Sequence, residues 1–521
     1  MPGRSPAAEP AGPPAGPKAG AGRKPNILFI AVDDLRPELG CYGVKEILTP
    51  NIDRLAKRGL VFDRAYCQQA VCNPSRASLL TGLRPDTLRV WDLVTKFRDT
   101  TPDAVTLPQH FKQNGYYAVG MGKIFHNPFP DPQSWTIPEQ PAPTGFRRYS
   151  KETQERAKRQ IEEARRSGDR AMQNRGRYGG PATDMEDVPD NRRFDGALAD
   201  LALEHLRKAH AQPAPFFLAV GFILPHLPWT PPKKYWDLYD PATIPMATNN
   251  FLPHGAPAMA MGGFYELRDC VDFMDAPDPS EGTLTEAQRR RLKHGYYASV
   301  SFIDAQVGRL LDELERLGLG DDTLVVLWGD HGWKLGEHNG WCKQTNYEVD
   351  TRSPLILAVP GAKAAGKTTR ALVEFLDIYP TLCDLAGLPV PDRLEGQSLA
   401  PLLDDPDASV KAAAFSQFPR REEGARTMGY AMRTDRYRYV EWLDRRTAET
   451  VAVELYDEQA DPEENTNIAA QPANAPLVGR LADQFWKTFA RPAPDTASDE
   501  RKTPVRSSSA AMQPFGDPDD I

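Results

Sequence analysis

Cysteine is scarce in this chain: there are six in 521 residues, Cys41, Cys67, Cys72, Cys270, Cys342 and Cys383. Their spacing is not that of a disulfide framework, so buried apolar surface rather than cross-linking has to hold the fold. No apolar run approaches the ~20 residues that cross a bilayer, which excludes a transmembrane helix. Positive charge is not in excess either. Lys and Arg number 63 against 71 Asp and Glu, a net charge of −8, so no general attraction for nucleic acid or membrane is expected and any affinity for anions has to be local. Internal repeats are absent. Residues 1–22 are Ala, Gly and Pro with a few charges, and lack the apolar core of about 7–15 residues that a secretory signal needs.

What is present reads as a globular enzyme-sized chain, with 40% hydrophobic and 26% charged residues. A large α/β domain with a smaller second domain is the expectation for this length. Short apolar runs end abruptly in polar residues: Ile27 to Val32 before Asp33 and Asp34, Tyr117 to Met121 before Gly122 and Lys123, Phe216 to Phe222 before Pro225 and His226. Thr323 to Trp328 before Asp330 and His331 repeats the arrangement. Continuous apolar strands belong to a sheet covered on both faces, and such sheets bind ligands beyond the carboxyl ends of their strands. Four strand ends therefore deliver polar residues to one crevice. A long helix is expected from Thr285, with Gln288 completing a capping box, to Gly318. Its stripe of Tyr296, Val300, Ile303, Val307, Leu310, Leu314 and Leu317 faces the core. Residues 149–191 read as a charged surface excursion, with a substrate-contacting lid as the alternative. A helix over 375–386 leads to a linker at 404–409. Strands at 428–434, 437–442 and 454–456 and a helix at 477–489 follow. The division is 1–22 disordered, 23–403 catalytic, 404–490 a C-terminal subdomain, and 491–521 a Pro-, Ser- and Asp-rich disordered tail.

The most informative segment is Cys72-Asn73-Pro74-Ser75-Arg76, followed by Ala77-Ser78-Leu79-Leu80-Thr81-Gly82. It resembles the Cys-x-Pro-x-Arg signature of the type I sulfatases. Gly122-Lys123-Ile124-Phe125-His126, Pro225-His226 and Asp330-His331-Gly332-Trp333 follow in the order found in the iduronate-2-sulfatase-like subfamily. Arg84-Pro85-Asp86-Thr87, Gly336-Glu337-His338 and Gly429 to Thr434 are similar too, and the resemblance runs from about Asn26 to Asn467. It implies an alkaline-phosphatase-like α/β fold with a large mixed, mostly parallel sheet flanked by helices and a smaller C-terminal α+β subdomain. The activity it implies is hydrolysis of a sulfuric ester of a sugar, plausibly a 2-O-sulfated uronate in a glycosaminoglycan or algal polysaccharide. Relatives are commonly periplasmic, secreted or lysosomal; location and oligomeric state are left open.

By the same resemblance, Cys72 is oxidised to Cα-formylglycine by a formylglycine-generating enzyme before folding. One hydroxyl of the hydrated aldehyde attacks sulfur, and the other later expels sulfate by collapsing to the aldehyde. Pro74 and Arg76 belong to the signature that enzyme reads, and Pro74 also suits the first turn of a helix whose N-terminus favours an anion. Asp33, Asp34 and Asp330 lie beyond strands and can meet at one cation, for which hard oxygen ligands favour Ca²⁺ or Mg²⁺. The family makes Ca²⁺ the first choice and adds Cys72 and His331 to the ligands, His331 replacing the Asn of many sulfatases. Arg76, Lys123, His126, His226 and Lys343 complete the implied catalytic set. The lysines neutralise sulfate oxygens, His126 assists collapse of the hydrate, and His226 protonates the leaving alcohol. Trp229, Trp333, His338 and Arg433 are candidates for holding a sugar ring or carboxylate, with core packing as the alternative for the tryptophans. Two other readings use the same motif: a phosphonate or phosphodiester hydrolase, and a sulfated-glycan binder whose cysteine is never converted.

Overall fold

The computed structural model describes residues 24–140, 149–167, 175–263, 266–422, 425–489 and 491–492. The expected disordered segments at 1–22 and 491–521 lie outside this range apart from Arg491 and Pro492, as do residues 168–174 of the charged excursion.

Seven strands form the main sheet: β1 Asn26–Val32, β2 Leu60–Tyr66, β3 Tyr117–Gly122, β4 Phe216–Phe222, β5 Thr323–Gly329, β6 Leu355–Ala358 and β7 Thr368–Glu374. Their order is β3-β4-β1-β5-β6-β2-β7. β1 pairs in parallel with β4 and β5, and only β6 runs antiparallel to its neighbours β5 and β2. All residues of β1, β4 and β5 are buried, which is why their sequences are continuously apolar rather than alternating.

Helices of eight or more described residues are α1 Pro50–Arg58, α2 Cys72–Thr81, α3 Lys151–Arg166, α4 Phe194–His210, α5 Glu286–Arg316, α6 Ile378–Leu385 and α7 Ala475–Thr488. Successive residues of a strand point to opposite faces. Thus Leu28, Ile30 and Val32 pack with Leu198 and Leu206 of α4 and Tyr296, Val300, Ile303 and Val307 of α5. Ile27, Phe29 and Ala31 pack on the other face with Leu79 and Leu80 of α2 and Leu382 of α6. The long helix α5 carries the expected capping box between Thr285 and Gln288, and Gly318 follows it at φ +68°.

A second sheet, wholly antiparallel, comprises β8 Ala414–Glu422, β9 Ala425–Arg433, β10 Tyr437–Asp444 and β11 Thr450–Asp457. Helix α7 covers it through Leu481 and Phe485. The sequence reading lacks β8. This strand joins the second sheet to the catalytic body, Gln417 N donating to Gln68 O at 2.8 Å and Ser416 Oγ to Cys67 O at 2.6 Å.

The 149–191 excursion is not wholly solvated, which corrects that expectation. Its second half packs inward: Val271 N donates to Gly180 O and Trp229 N to Ala182 O, at 3.0 and 2.9 Å. The ring of Tyr178 stands edge-on to His226, 6.2 Å away.

Candidate active site

Each strand end supplies its polar residues to one buried cluster. Asp33 and Asp34 follow β1, and Asp34 adopts φ +57°, a left-handed backbone that a non-glycine residue holds only when its surroundings impose it. Those surroundings are Asp330 Oδ1, which accepts from Asp34 N at 3.0 Å, and Tyr296 Oη of α5, which donates to Asp34 O at 2.9 Å. Asp330 and His331 follow β5, and all four residues are fully buried.

Lys123 follows β3 through a tight passage. Its N–H donates to Gly221 O at 2.8 Å, and a Cβ on Gly221 would lie 2.2 Å from the Lys123 carbonyl. Gly221→Ala therefore has to push the β3 end away from β4. The expected cost is about 1–3 kcal/mol, read as a lower Tm together with lower turnover as Lys123 moves. Unchanged Tm and turnover would show that the strand end yields freely.

Cys72 begins α2, every residue of which is buried. The first N–H groups of a helix have no partner within it, so this end favours an anion. One turn on, Arg76 bridges two carboxylates, Nε donating to Asp330 Oδ2 at 2.8 Å and Nη2 to Asp33 Oδ1 at 3.0 Å. Lys123 Nζ donates to Asp33 Oδ2. Lys343 Nζ donates to Asp34 Oδ1 at 2.6 Å and lies 3.6 Å from the Cys72 sulfur. His331 Nε2 is 3.4 Å from that sulfur, and His331 Nδ1 is 3.0 Å from Gly332 O. A carbonyl only accepts, so Nδ1 carries the ring proton and Nε2 turns its lone pair into the cluster. His226 is held the same way, with Nδ1 2.6 Å from Leu227 O and Nε2 3.9 Å from Asp34 Oδ2. His126 is buried with both ring nitrogens lacking a hydrogen-bond partner.

The electrostatics follow from burial. Burial alone would raise the Asp33 carboxyl, but Lys123 and Arg76 overcome it and hold Asp33 well below the usual range. Asp34 is pushed well above that range by burial and by the crowding of Asp33, Glu266 and Asp330, which outweigh Lys343. Burial and Asp33 push the Cys72 thiol well up. His126 and His226 are pushed well down by burial, assisted by Lys123 and by Lys343 respectively.

The residues fit a hard divalent cation. One ligand atom from each of Asp33, Asp34, Cys72 and His226 lies within 4.8 Å of the others, as do those of Cys72, Asp330 and His331. Asp34 Oδ2 is buried without a hydrogen-bond partner. Four carboxylates, Asp33, Asp34, Asp330 and Glu266, stand against the fixed cations Arg76, Lys123 and Lys343. With Asp34 ionised that is one negative charge in excess, the wrong sign for binding an anion, and a divalent cation reverses it while favouring the ionised Asp34.

All ten residues picked from the sequence thus meet in one place. The four weaker candidates do not present themselves to a ligand. Trp333 and Trp229 are 0% and 1% exposed, and Trp333 lies under Lys343 with 5.1 Å between ring centroid and Nζ. His338 Nε2 bonds Glu463 O at 2.8 Å, and Arg433 pairs with Glu348 at 3.2 Å. These are packing and framework contacts. Glu266 was missed: its Oε2 lies 3.2 Å from Lys343 Nζ and 3.4 Å from His226 Nε2. It stands just before a short 3-10 turn, Leu267–Asp269, rather than at a strand end, so no periodicity marks it.

A mixed, mostly parallel sheet with this cluster at its strand ends defines the alkaline-phosphatase-like hydrolases. Within that class the chain belongs to the sulfatase family, whose model matches residues 25–388; the C-terminal model of N-sulphoglucosamine sulphohydrolase matches 336–491. It is iduronate-2-sulfatase-like: the mouse (Mus musculus) iduronate 2-sulfatase is 35% identical, over 85% of this chain and 90% of that protein. The solved structure of BT4656 in complex with its substrate D-glucosamine-2-N,6-O-disulfate superposes with a TM-score of 0.69 at 24% identity, covering 91% of this chain and all of the other. The phosphonate monoester hydrolase of Agrobacterium radiobacter has a TM-score of 0.66 at 25% identity, covering 89% of this chain and 95% of its own.

Proposed function

We propose that this sulfatase hydrolyses the 2-O-sulfate of a uronate in a glycosaminoglycan or algal polysaccharide, using formylglycine formed from Cys72 and a bound Ca²⁺, with Mg²⁺ the alternative. The observation that carries the chemistry is the setting of Cys72. It is ringed by Lys343, His331 and the Asp33–Arg76–Asp330 bridge, yet its thiol is pushed away from ionisation by burial. A buried thiol held from ionisation is a poor sulfur nucleophile, so this setting suits an oxygen nucleophile at the position of Cys72, as a hydrated formylglycine would supply. The choice of uronate rests on likeness to the iduronate 2-sulfatases.

A cation would be held by Asp33, Asp34, Asp330 and His331 and would supply positive charge against the sulfuryl oxygens, and formylglycine at Cys72, once hydrated, would supply the attacking oxygen. The chain's own side chains do the rest. Lys123 and Lys343 neutralise sulfuryl oxygens in a largely buried site, where such charges act strongly. Arg76 is locked between Asp33 and Asp330 and orients both carboxylates. His226 Nε2 faces the pocket and, when the ring carries a second proton there, hands it to the departing alcohol, burial and Lys343 making that cation a ready acid, while His126 accepts a proton at its unpartnered ring. The sum is addition of water, giving alcohol and sulfate.

The test is a comparison of kcat/KM on matched sulfate and phosphate esters, then on sulfated disaccharides, with converted protein. The expected result is a preference for sulfate by about 10²-fold or more. A clear phosphate or phosphonate preference would assign the other chemistry of the superfamily.

A further inference from the structure

Glu266 has no role in the chemistry derived above. Its carboxylate adds negative charge to a pocket built for an anion, which is costly unless something compensates. Neither neighbour needs it. Lys343 already has Asp34 at 2.6 Å, and the His226 ring is oriented by Leu227 O at 2.6 Å. Nor does Glu266 join either group of metal-ligating atoms found among the described residues. Its Oε2 is buried and makes no hydrogen bond beyond the ion pair with Lys343 at 3.2 Å, while the side chain as a whole is 13% exposed. Its Oε2 stands 3.4 Å from His226 Nε2, the nitrogen assigned above to the departing oxygen, which would bring a substituent on the carbon next to the sulfated one within its reach.

Building on the sulfatase reading above, we propose that Glu266 determines specificity by accepting a hydrogen bond from an uncharged donor on the carbon next to the sulfated one, and by excluding an anionic group there. For a 2-O-sulfated uronate the neighbours are C1 and C3. C1 carries the glycosidic oxygen, which has no proton to give, so the donor is the C3 hydroxyl. The uronate carboxylate is attached at C5, across the ring, and escapes the repulsion. A second sulfate at C3 does not.

The test uses a 2-O-sulfated uronate methyl glycoside and its 3-deoxy analogue. Converted wild type is expected to favour the hydroxylated ester by about 10- to 100-fold in kcat/KM, the worth of one hydrogen bond to a charged group. Glu266→Ala should bring that ratio to within a few fold, and Glu266→Gln, similar in size and still carrying a carbonyl acceptor, should keep part of it. A ratio unchanged in Glu266→Ala overturns the proposal, whether both rates fall together or neither falls. So does a wild type without preference. Calorimetric binding of the same pair to calcium-loaded Cys72→Ala, with and without the Glu266 substitutions, gives the ratio without turnover. Binding preference without sulfate release would overturn the reaction and leave Glu266 assigned. Equal binding of the pair would overturn Glu266 alone.

Discussion

Cys72→Ala, or protein whose thiol is left unconverted, is expected to lose about 10⁴-fold or more in kcat/KM on a sulfated disaccharide, with little change in thermal unfolding. The loss is large because no other described side chain in the pocket can replace the nucleophile. Lys123 and Lys343 are paired to Asp33 and Asp34, His226 and His331 are held at Leu227 and Gly332, and Arg76 is closed between carboxylates. Peptide mass spectrometry of the Cys72 fragment, on protein produced with a formylglycine-generating enzyme, is run beside the assay. Turnover should rise in proportion to the fraction converted. Equal activity in converted and unconverted samples would sink the mechanism, and full conversion without sulfate release would point to phosphoester chemistry.

Asp330→Asn is expected to lower bound metal and turnover together, the latter by about 10²-fold or more. Asp330 has three tasks at once: it accepts from Arg76 Nε, accepts from the strained backbone N–H of Asp34, and belongs to the ligand group with Cys72 and His331. Asparagine is nearly isosteric and keeps one acceptor, but it removes the charge opposite a fully buried guanidinium. Breaking a buried ion pair on one side costs about 3–5 kcal/mol, and the lower end is expected here because Asp33 still faces Arg76. Metal content after desalting, Tm and turnover are the readings. Metal and turnover both unchanged would remove Asp330 from the ligand set.

The parts of this site that could be read in the sequence are those attached to regular structure. Asp33, Lys123, His226 and Asp330 follow uniformly apolar strands, and such strands in a doubly covered sheet end on the same side. The long helix was legible because its stripe and its Thr285 cap agree. β8 was not, because its residues mix Arg, Gln and Pro with Phe and its partner β9 supplies the regularity. Glu266 was invisible because its place depends on the loop before α5 folding back over Lys343, a contact of tertiary origin. The tryptophans left two readings open, since an aromatic residue beside a catalytic motif suits either a sugar platform or the core; Trp229 and Trp333 take the second, packing edge to face with each other.

The closeness of Cys72 to Lys343 also sets a clock. The two meet in space but are 271 residues apart in the chain. At ribosomal rates of about 5–20 residues per second, the thiol emerges roughly 14–54 s before the lysine that closes over it. During that interval the segment from Cys72 to Arg76 would be open to the proposed modifying enzyme; in the folded protein every residue of α2 is buried. The opportunity for the proposed maturation would thus be measured in translation time, and slowing synthesis between the two residues would lengthen it.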